Sequence, residues 1–197
     1  ALFAAITSIA IGWTYLGTEA QIDFEVRRAE ARQLLEIFPP DTHDNEIIDD
    51  VFEVAAETAL LGIRERRQGY RVRQGGNVIG VILPATARDG YSGDIRALVG
   101  VRRDGSVAGV RVVAHRETPG LGDKVDLRKS DWILDFNERS LTKPALRAWN
   151  VEKEAGVFDQ FTGATVTPRA VILATRRALE YATLNASILF ETEADSA

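Results

Sequence analysis

The sequence contains no cysteine, and this absence excludes several classes of site. Disulfide bonds, thiolate zinc sites and iron–sulfur clusters held by the chain's own side chains all require cysteine. The compartment stays open, because a protein with a proper apolar core needs no disulfide outside the cytoplasm. Such a core is available, since 45% of the 197 residues are hydrophobic.

Other residue types are missing or scarce. The only histidines, His43 and His115, lie far apart in sequence, so we predict no metal site. The net charge is −5 and basic residues form no stripe, so nucleic acid is not an expected partner. Methionine is absent, so residue 1 is not an initiator and we expect further residues upstream.

Residues 1–17 form an uncharged apolar run, ALFAAITSIAIGWTYLG. At about 1.5 Å per residue the run spans roughly 25 Å, and upstream residues would extend it across a bilayer core of about 30 Å. Trp13 and Tyr15 suit the aromatic belt of a membrane interface. The alternatives are a buried core helix and a cleaved signal peptide, but no small-residue cleavage site follows. We predict a transmembrane helix over residues 1–19, truncated at its start.

Residues 20–68 are predicted to form a juxtamembrane helix and an acidic connector. Apolar residues recur at helical spacing over 22–38, and Pro39 and Pro40 end that helix. The following stretch DTHDNEIIDD lacks the spacing of an EF-hand calcium loop, so we interpret it as a solvated acidic surface. Acidic residues follow the membrane segment before any basic one. If upstream residues supply the positive-inside charge, the soluble body faces the periplasm.

Residues 69–190 are predicted to form one α+β domain of twisted antiparallel strands with helices packed on one side, followed by a frayed tail over 191–197. Short segments rich in valine and isoleucine are separated by glycine-bearing turns. The segment WILDF is expected to pack beneath a loop. The last helix begins near Pro168, with Thr167 as its cap candidate. The four predicted strands are 70–73, 77–85, 97–103 and 106–115.

The domain contains an internal sequence repeat of two units. Residues 76–94 align with 105–123 without a gap, and seven of the nineteen positions are identical. Two such units are too few for a solenoid. Two strands that each lead into a glycine-rich loop instead suggest a pair of elements that flank one ligand.

The heptad DQFTGAT, residues 159–165, stands immediately before the last helix. A helix N-terminus offers free N–H groups and partial positive charge, so a phosphate could bind there. A plain helix cap explains the same residues. The heptad is not a P-loop, because no Gly-Lys-Ser/Thr follows.

The same heptad matches the flavinylation motif D-x-x-S/T-G-A-T at every position. Three further segments agree: GYSG at 90–93, HRETPGLGDK at 115–124 and KSDWILDFN at 129–137. Together with the membrane segment, they make the chain resemble the G subunits of Rnf-type electron-transport complexes. The resemblance implies that a flavin transferase joins FMN to Thr165 through a phosphoester.

The resemblance also implies a function and a flavin pocket. The complex would couple ferredoxin and NAD redox chemistry to ion movement across the bacterial inner membrane, with this chain as an electron carrier among other membrane and peripheral subunits. The chain lacks the glycine fingerprint of a dinucleotide site, so we do not expect it to bind NAD. We expect the isoalloxazine to remain redox-active and no side chain to be catalytic. Besides Thr165, the expected FMN-binding residues are Thr162, Gly163, Ala164, Glu117, Thr118, Gly120, Leu121, Tyr91 and Ser92.

Three alternatives stay open at this point. The C subunits of sodium-translocating NADH:quinone reductases share the anchor, the domain and the motif. A membrane-anchored assembly module that never receives flavin would also suit the amphipathic helix. An extracytoplasmic protein could bind a small anion reversibly at the turn of residues 162–165.

Overall fold

The computed structural model describes residues 7, 13, 21 and 24–191. The predicted transmembrane helix over 1–19 lies outside the described residues except for Thr7 and Trp13, and so does most of the predicted tail. Among the described residues, no helix is both long and apolar enough to cross a bilayer.

The first described helix, α1, covers residues 24–37, and Pro40 opens the short 3-10 turn that follows it. The predicted helix end before the two prolines is confirmed. Only the last turns of α1 are buried, through Leu34, Ile37 and Phe38. Phe24 is exposed, although the spacing placed it on the same apolar row as Leu34, because only the last turns of α1 pack on the sheet.

Five antiparallel strands form one meandering sheet, in which each strand pairs with the next in sequence. The four predicted strands and the glycine-bearing turns between them are confirmed, and Gly75 and Gly76 adopt positive φ in the first of these turns. No sequence pattern predicted β1, which has only four residues and pairs with β2. The strands are β1 (Val51–Val54), β2 (Arg67–Gln74), β3 (Asn77–Ala87), β4 (Ile95–Arg102) and β5 (Val107–Ala114).

Helices cover both faces of the sheet, so the expectation that they pack on one side is wrong. Successive side chains of a strand point to opposite faces. Accordingly, Ile82 of β3 packs with α1, whereas its neighbours Val81 and Leu83 pack with the C-terminal helix. That helix, α2, covers Val166–Leu184, and a short α3 covers Ala186–Leu189.

Helix α1 approaches the sheet closely where two strands carry glycine. A Cβ on Gly100 would lie 2.2 Å from Cγ2 of Ile37, and one on Gly80 would lie 2.4 Å from Cζ of Phe38. Both distances are far below a van der Waals contact. The missing side chains therefore let the end of α1 seat its two apolar residues directly on the strand backbones.

The acidic stretch of residues 41–50 makes polar contacts with the β2–β3 hairpin. Asp50 Oδ2 pairs with Arg73 Nε at 2.6 Å, and Asp44 Oδ2 accepts the Gly75 N–H at 2.6 Å. Part of this predicted solvated surface is thus engaged in structural hydrogen bonds.

Between β5 and α2 the chain forms short 3-10 turns around an aromatic cluster, with ring centroids 4.6 to 6.2 Å apart. The expected packing of the WILDF segment is confirmed, since Trp132, Ile133 and Phe136 are buried. Trp132 Nε1 donates to the Asp159 carbonyl at 2.9 Å. The cluster therefore supports the segment that leads into α2. Its rings are Trp132, Phe136, Trp149, Phe158 and Phe161.

Candidate functional site

Three chain segments meet at one end of the sheet. Strands β3 and β5 both pair antiparallel with β4 and flank it, so they run in the same direction. The loops that follow them, 88–94 and 115–121, consequently emerge at the same end. These are the two glycine-rich loops of the internal sequence repeat.

The third segment is the DQFTGAT heptad. Gly163 adopts a φ of +82°, and the Ala164 N–H donates to the Phe161 carbonyl at 3.0 Å, which closes a tight turn. Helix α2 then begins at Val166 with Thr165 as its N-cap residue. The cap assignment of Thr167 is therefore wrong, because Thr167 is the second residue of the helix and its side chain is turned inward to a carboxylate.

A cleft of about 390 Å³ lies between the three segments. Six of its lining residues were predicted, and the other three lie within two residues of predicted positions. Val166 and Thr167 follow the heptad, and Gly122 stands near the end of the second repeat unit. A prediction that included the residues next to each motif would have named all three. The lining residues are Tyr91, Glu117, Thr118, Leu121, Gly122, Gly163, Ala164, Val166 and Thr167.

The other four predicted residues lie beside the cleft and do not line it. The Ser92 N–H donates to Glu117 Oε1 at 2.9 Å, and Gly120 shapes its loop through a φ of +77°. Thr162 is exposed, and Thr165 is half-buried with no side-chain capping hydrogen bond. The structure thus brings all ten predicted residues into one neighbourhood.

Glu117 is the only charged residue among those that line the cleft. It is only 4% exposed. Its carboxylate accepts hydrogen bonds from the Ser92 backbone and from the Thr167 hydroxyl, while its own N–H donates to His115 Nδ1 at 3.1 Å. The cleft therefore offers an incoming anion no cationic side chain from the described residues that line it.

The residues present fit a flavin mononucleotide. Tyr91, Leu121 and Val166 are apolar and 74%, 42% and 40% exposed at the cleft, so they offer surface on which an aromatic ring can pack. The first N–H groups of α2 have no partner within the helix, and they can donate to a phosphate next to Thr165. One part of the site suits the ring and the other suits the phosphate.

Comparison with known proteins agrees with this geometry. Residues 90–180 match the FMN-binding domain family, and that range contains all nine residues that line the cleft. The G subunit of an ion-translocating oxidoreductase complex from Pseudomonas aeruginosa is 46% identical over 98% of this chain and 89% of its own length. The chain belongs to the family of G subunits of ion-translocating oxidoreductase complexes.

Other members of this family show the same extent of similarity. The G subunit of Pseudoalteromonas atlantica is 44% identical over 96% of this chain and 87% of its own length. That of Vibrio cholerae is 40% identical over 92% of this chain and 86% of its own length. The similarity to these G subunits therefore includes β1, α1 and the connector as well as the FMN-binding domain.

Proposed function

We propose that this chain carries FMN as a phosphoester on Thr165 and passes electrons as one subunit of an ion-translocating oxidoreductase complex. Membership of the G-type family and the FMN-binding domain support the electron-carrying role. The observation that carries the site assignment is the convergence of both glycine-rich loops on the N-terminus of α2. When bound, FMN supplies the electron chemistry, and the protein holds and orients it.

The local structure favours Thr165 over the two neighbouring threonines as the attachment point. The Thr167 side chain is fully buried, and its hydroxyl is already donated to Glu117. Neither Thr162 nor Thr165 lines the cleft, but Thr162 is exposed and stands four residues before the start of α2. Thr165 stands at the start of α2, next to the unpaired N–H groups, and makes no side-chain cap. In the proposed modification Thr165 Oγ loses its proton and bonds the phosphorus of an activated flavin nucleotide, whose other phosphorus substituent leaves.

The charge of the cleft disfavours the alternative of a reversible anion-binding protein. Its described lining contains one carboxylate and no basic side chain, so a free anion would depend on the helix terminus alone. Such a terminus contributes typically about 0.3–1 kcal/mol at an exposed site. A covalent bond removes the need for affinity, which is why the same cleft suits a tethered phosphodiester.

The proposal extends to location and partners. We propose that residues 1–19 form a single transmembrane helix in a bacterial inner membrane, that 20–68 connect it to an FMN-binding domain over 69–190, and that this domain lies in the periplasm. A flavin transferase would modify Thr165 during maturation. Reporter fusions after residue 197, active only in one compartment, would test the topology, and cytoplasmic activity would contradict it.

The attachment is tested by the mass of the tryptic peptide 154–169, which contains all three threonines. We expect a gain of one FMN less one water when the full chain is expressed with a flavin transferase, with fragment ions that place the gain on Thr165. Thr165→Val should abolish it, and Thr162→Val is the matched control that should retain it. Covalent flavin that persists in Thr165→Val contradicts the assignment.

An unmodified wild-type peptide, from cells that flavinylate a control protein, would favour an assembly module without flavin. The alternative of a quinone reductase C subunit is not supported, because the relatives from Pseudomonas, Pseudoalteromonas and Vibrio are all named as G subunits.

A further inference from the structure

We propose that Glu117 is a positioning residue, whose buried carboxylate fixes the three segments of the cleft relative to one another. This inference rests on the proposed function, because it assigns the pocket walls that would hold the flavin. Glu117 belongs to loop 115–121, and its two carboxylate oxygens accept hydrogen bonds from loop 88–94 and from the first turn of α2, which directly follows the heptad. One side chain thereby joins parts of the chain that are 25 and 50 residues away from it in sequence.

Each carboxylate oxygen has a separate partner. Oε1 accepts the Ser92 N–H at 2.9 Å, which ties down the β3–β4 loop. Oε2 accepts the Thr167 hydroxyl, which ties down the first turn of α2. Because the two oxygens have different partners, one side chain sets the spacing between the loop and the helix.

The backbone comes close to this carboxylate at Gly122. A Cβ on Gly122 would lie 2.8 Å from both Glu117 Oε2 and Thr167 Oγ1. Gly122 therefore permits the close approach of the two side chains. No ion pair to Glu117 is found in the described part of the chain, so the two hydrogen bonds are the contacts that hold its carboxylate.

The contact is also placed where it can control the flavin. Glu117 and Thr167 both line the cleft, and Thr167 lies two residues after the proposed attachment point. Loss of the Glu117–Thr167 bond would free the start of α2 from the loop that carries Thr118 and Leu121. A flavin tethered at Thr165 would then keep its covalent bond but lose a fixed orientation.

The test uses the full chain, flavinylated in its host, with substitutions at Thr167. Thr167→Val removes the hydroxyl at nearly constant volume, and Thr167→Ser keeps it. Thr175→Val is the matched control, because Thr175 is equally buried in α2 but lies about two turns beyond the cleft. The readout is the visible circular dichroism of the bound flavin, a signature of its fixed asymmetric surroundings.

We expect Thr167→Val to reduce the visible dichroism per flavin by at least half, and Thr167→Ser and Thr175→Val to keep it near the wild-type value. Equal loss in Thr175→Val would mean general loosening of α2 and would overturn the proposal. An unchanged signal in Thr167→Val would overturn it as well.

A second measurement separates this proposal from the flavin assignment. Amide exchange of Ser92 is followed in the full chain expressed without a flavin transferase, in wild type and in Glu117→Ala. Loss of a charge-assisted hydrogen bond should speed this exchange about tenfold. Unchanged Ser92 exchange refutes the positioning role even where flavin is present. Absence of covalent flavin in wild type refutes the proposed function. The exchange result then still tests whether Glu117 holds the Ser92 backbone.

Discussion

Replacement of Trp132 by phenylalanine tests whether the aromatic cluster supports the DQFTGAT heptad. The indole is nearly buried, packs edge-on against Phe161 at 5.0 Å between centroids, and donates Nε1–H to the Asp159 carbonyl at 2.9 Å. Loss of that hydrogen bond costs about 1 kcal/mol. The smaller ring forfeits contact area worth about 1 kcal/mol more. We expect the free energy of unfolding to fall by about 2 kcal/mol.

Trp149→Phe provides the matched control. Trp149 belongs to the same cluster, is fully buried, and donates Nε1–H to the Ser140 carbonyl at 3.1 Å. The same bond type and the same area are lost, so the stability loss should be equal. The Trp149 indole donates outside the 159–165 segment, whereas Trp132 holds that segment at Asp159.

The assay combines urea and thermal unfolding with the flavin content of chains purified from a host that contains the transferase. The melting temperature of both variants should fall by roughly 4–8 °C. Only Trp132→Phe should lose covalent flavin, by several-fold, because the transferase must meet the heptad in a defined conformation. Equal flavin content in the two variants would refute the hypothesis that Trp132 orders this segment.

Two further predictions concern the scaffold. Gly100→Ala should lower the free energy of unfolding by about 2 kcal/mol, because its Cβ would lie 2.2 Å from Cγ2 of Ile37. Gly75→Ala is the control, because Gly75 has positive φ but open space around it, and it should cost only about 1 kcal/mol. Urea titration measures both values. Hydrogen bonds from Ser106 lower the pKa of Asp104, so its carboxylate contributes stability above the ordinary aspartate pKa, and that contribution is lost as the pH falls through the lowered pKa. Asp104→Asn should therefore reduce the stability difference between neutral and acidic pH, and an unchanged difference would contradict the assignment.

The sheet was predictable because its signals are local. Runs of valine and isoleucine between glycine turns mark β2 to β5, and the turns at Gly75–Gly76 and Gly105 have the positive φ that their glycines allow. Strand β1 escaped prediction because no glycine-bearing turn borders its four residues, and only its pairing with β2 identifies it as a strand. The region of 3-10 turns lacks any period, so only its apolar cluster was predictable.

The arrangement of helices was not predictable in the same way. Amphipathic spacing identifies which residues of α1 and α2 are apolar, but it does not say which face of the sheet each helix covers. That choice depends on how side chains far apart in sequence fit together. For example, the missing side chain of Gly100 lets Ile37 pack directly on the strand backbone. Likewise, the heptad and the glycine loops were visible as motifs, but the bond between Glu117 and Thr167 joins residues 50 positions apart. Sequence periodicity does not predict a contact between residues so far apart in the chain.

The position of the cleft suits electron transfer better than tight reversible binding. Tyr91 is largely exposed and Leu121 and Val166 are partly exposed at the cleft, so a ring packed on them would keep an edge open to a neighbouring protein. A reversible cofactor would require deeper burial for affinity, since pockets that hold small molecules usually enclose most of the ligand. A covalent tether at Thr165 would supply retention without burial. A site of this kind would also account for the repeated strand-and-loop unit, because β3 and β5 bring two loops to the same end of the sheet as the start of α2, where we propose the attachment point.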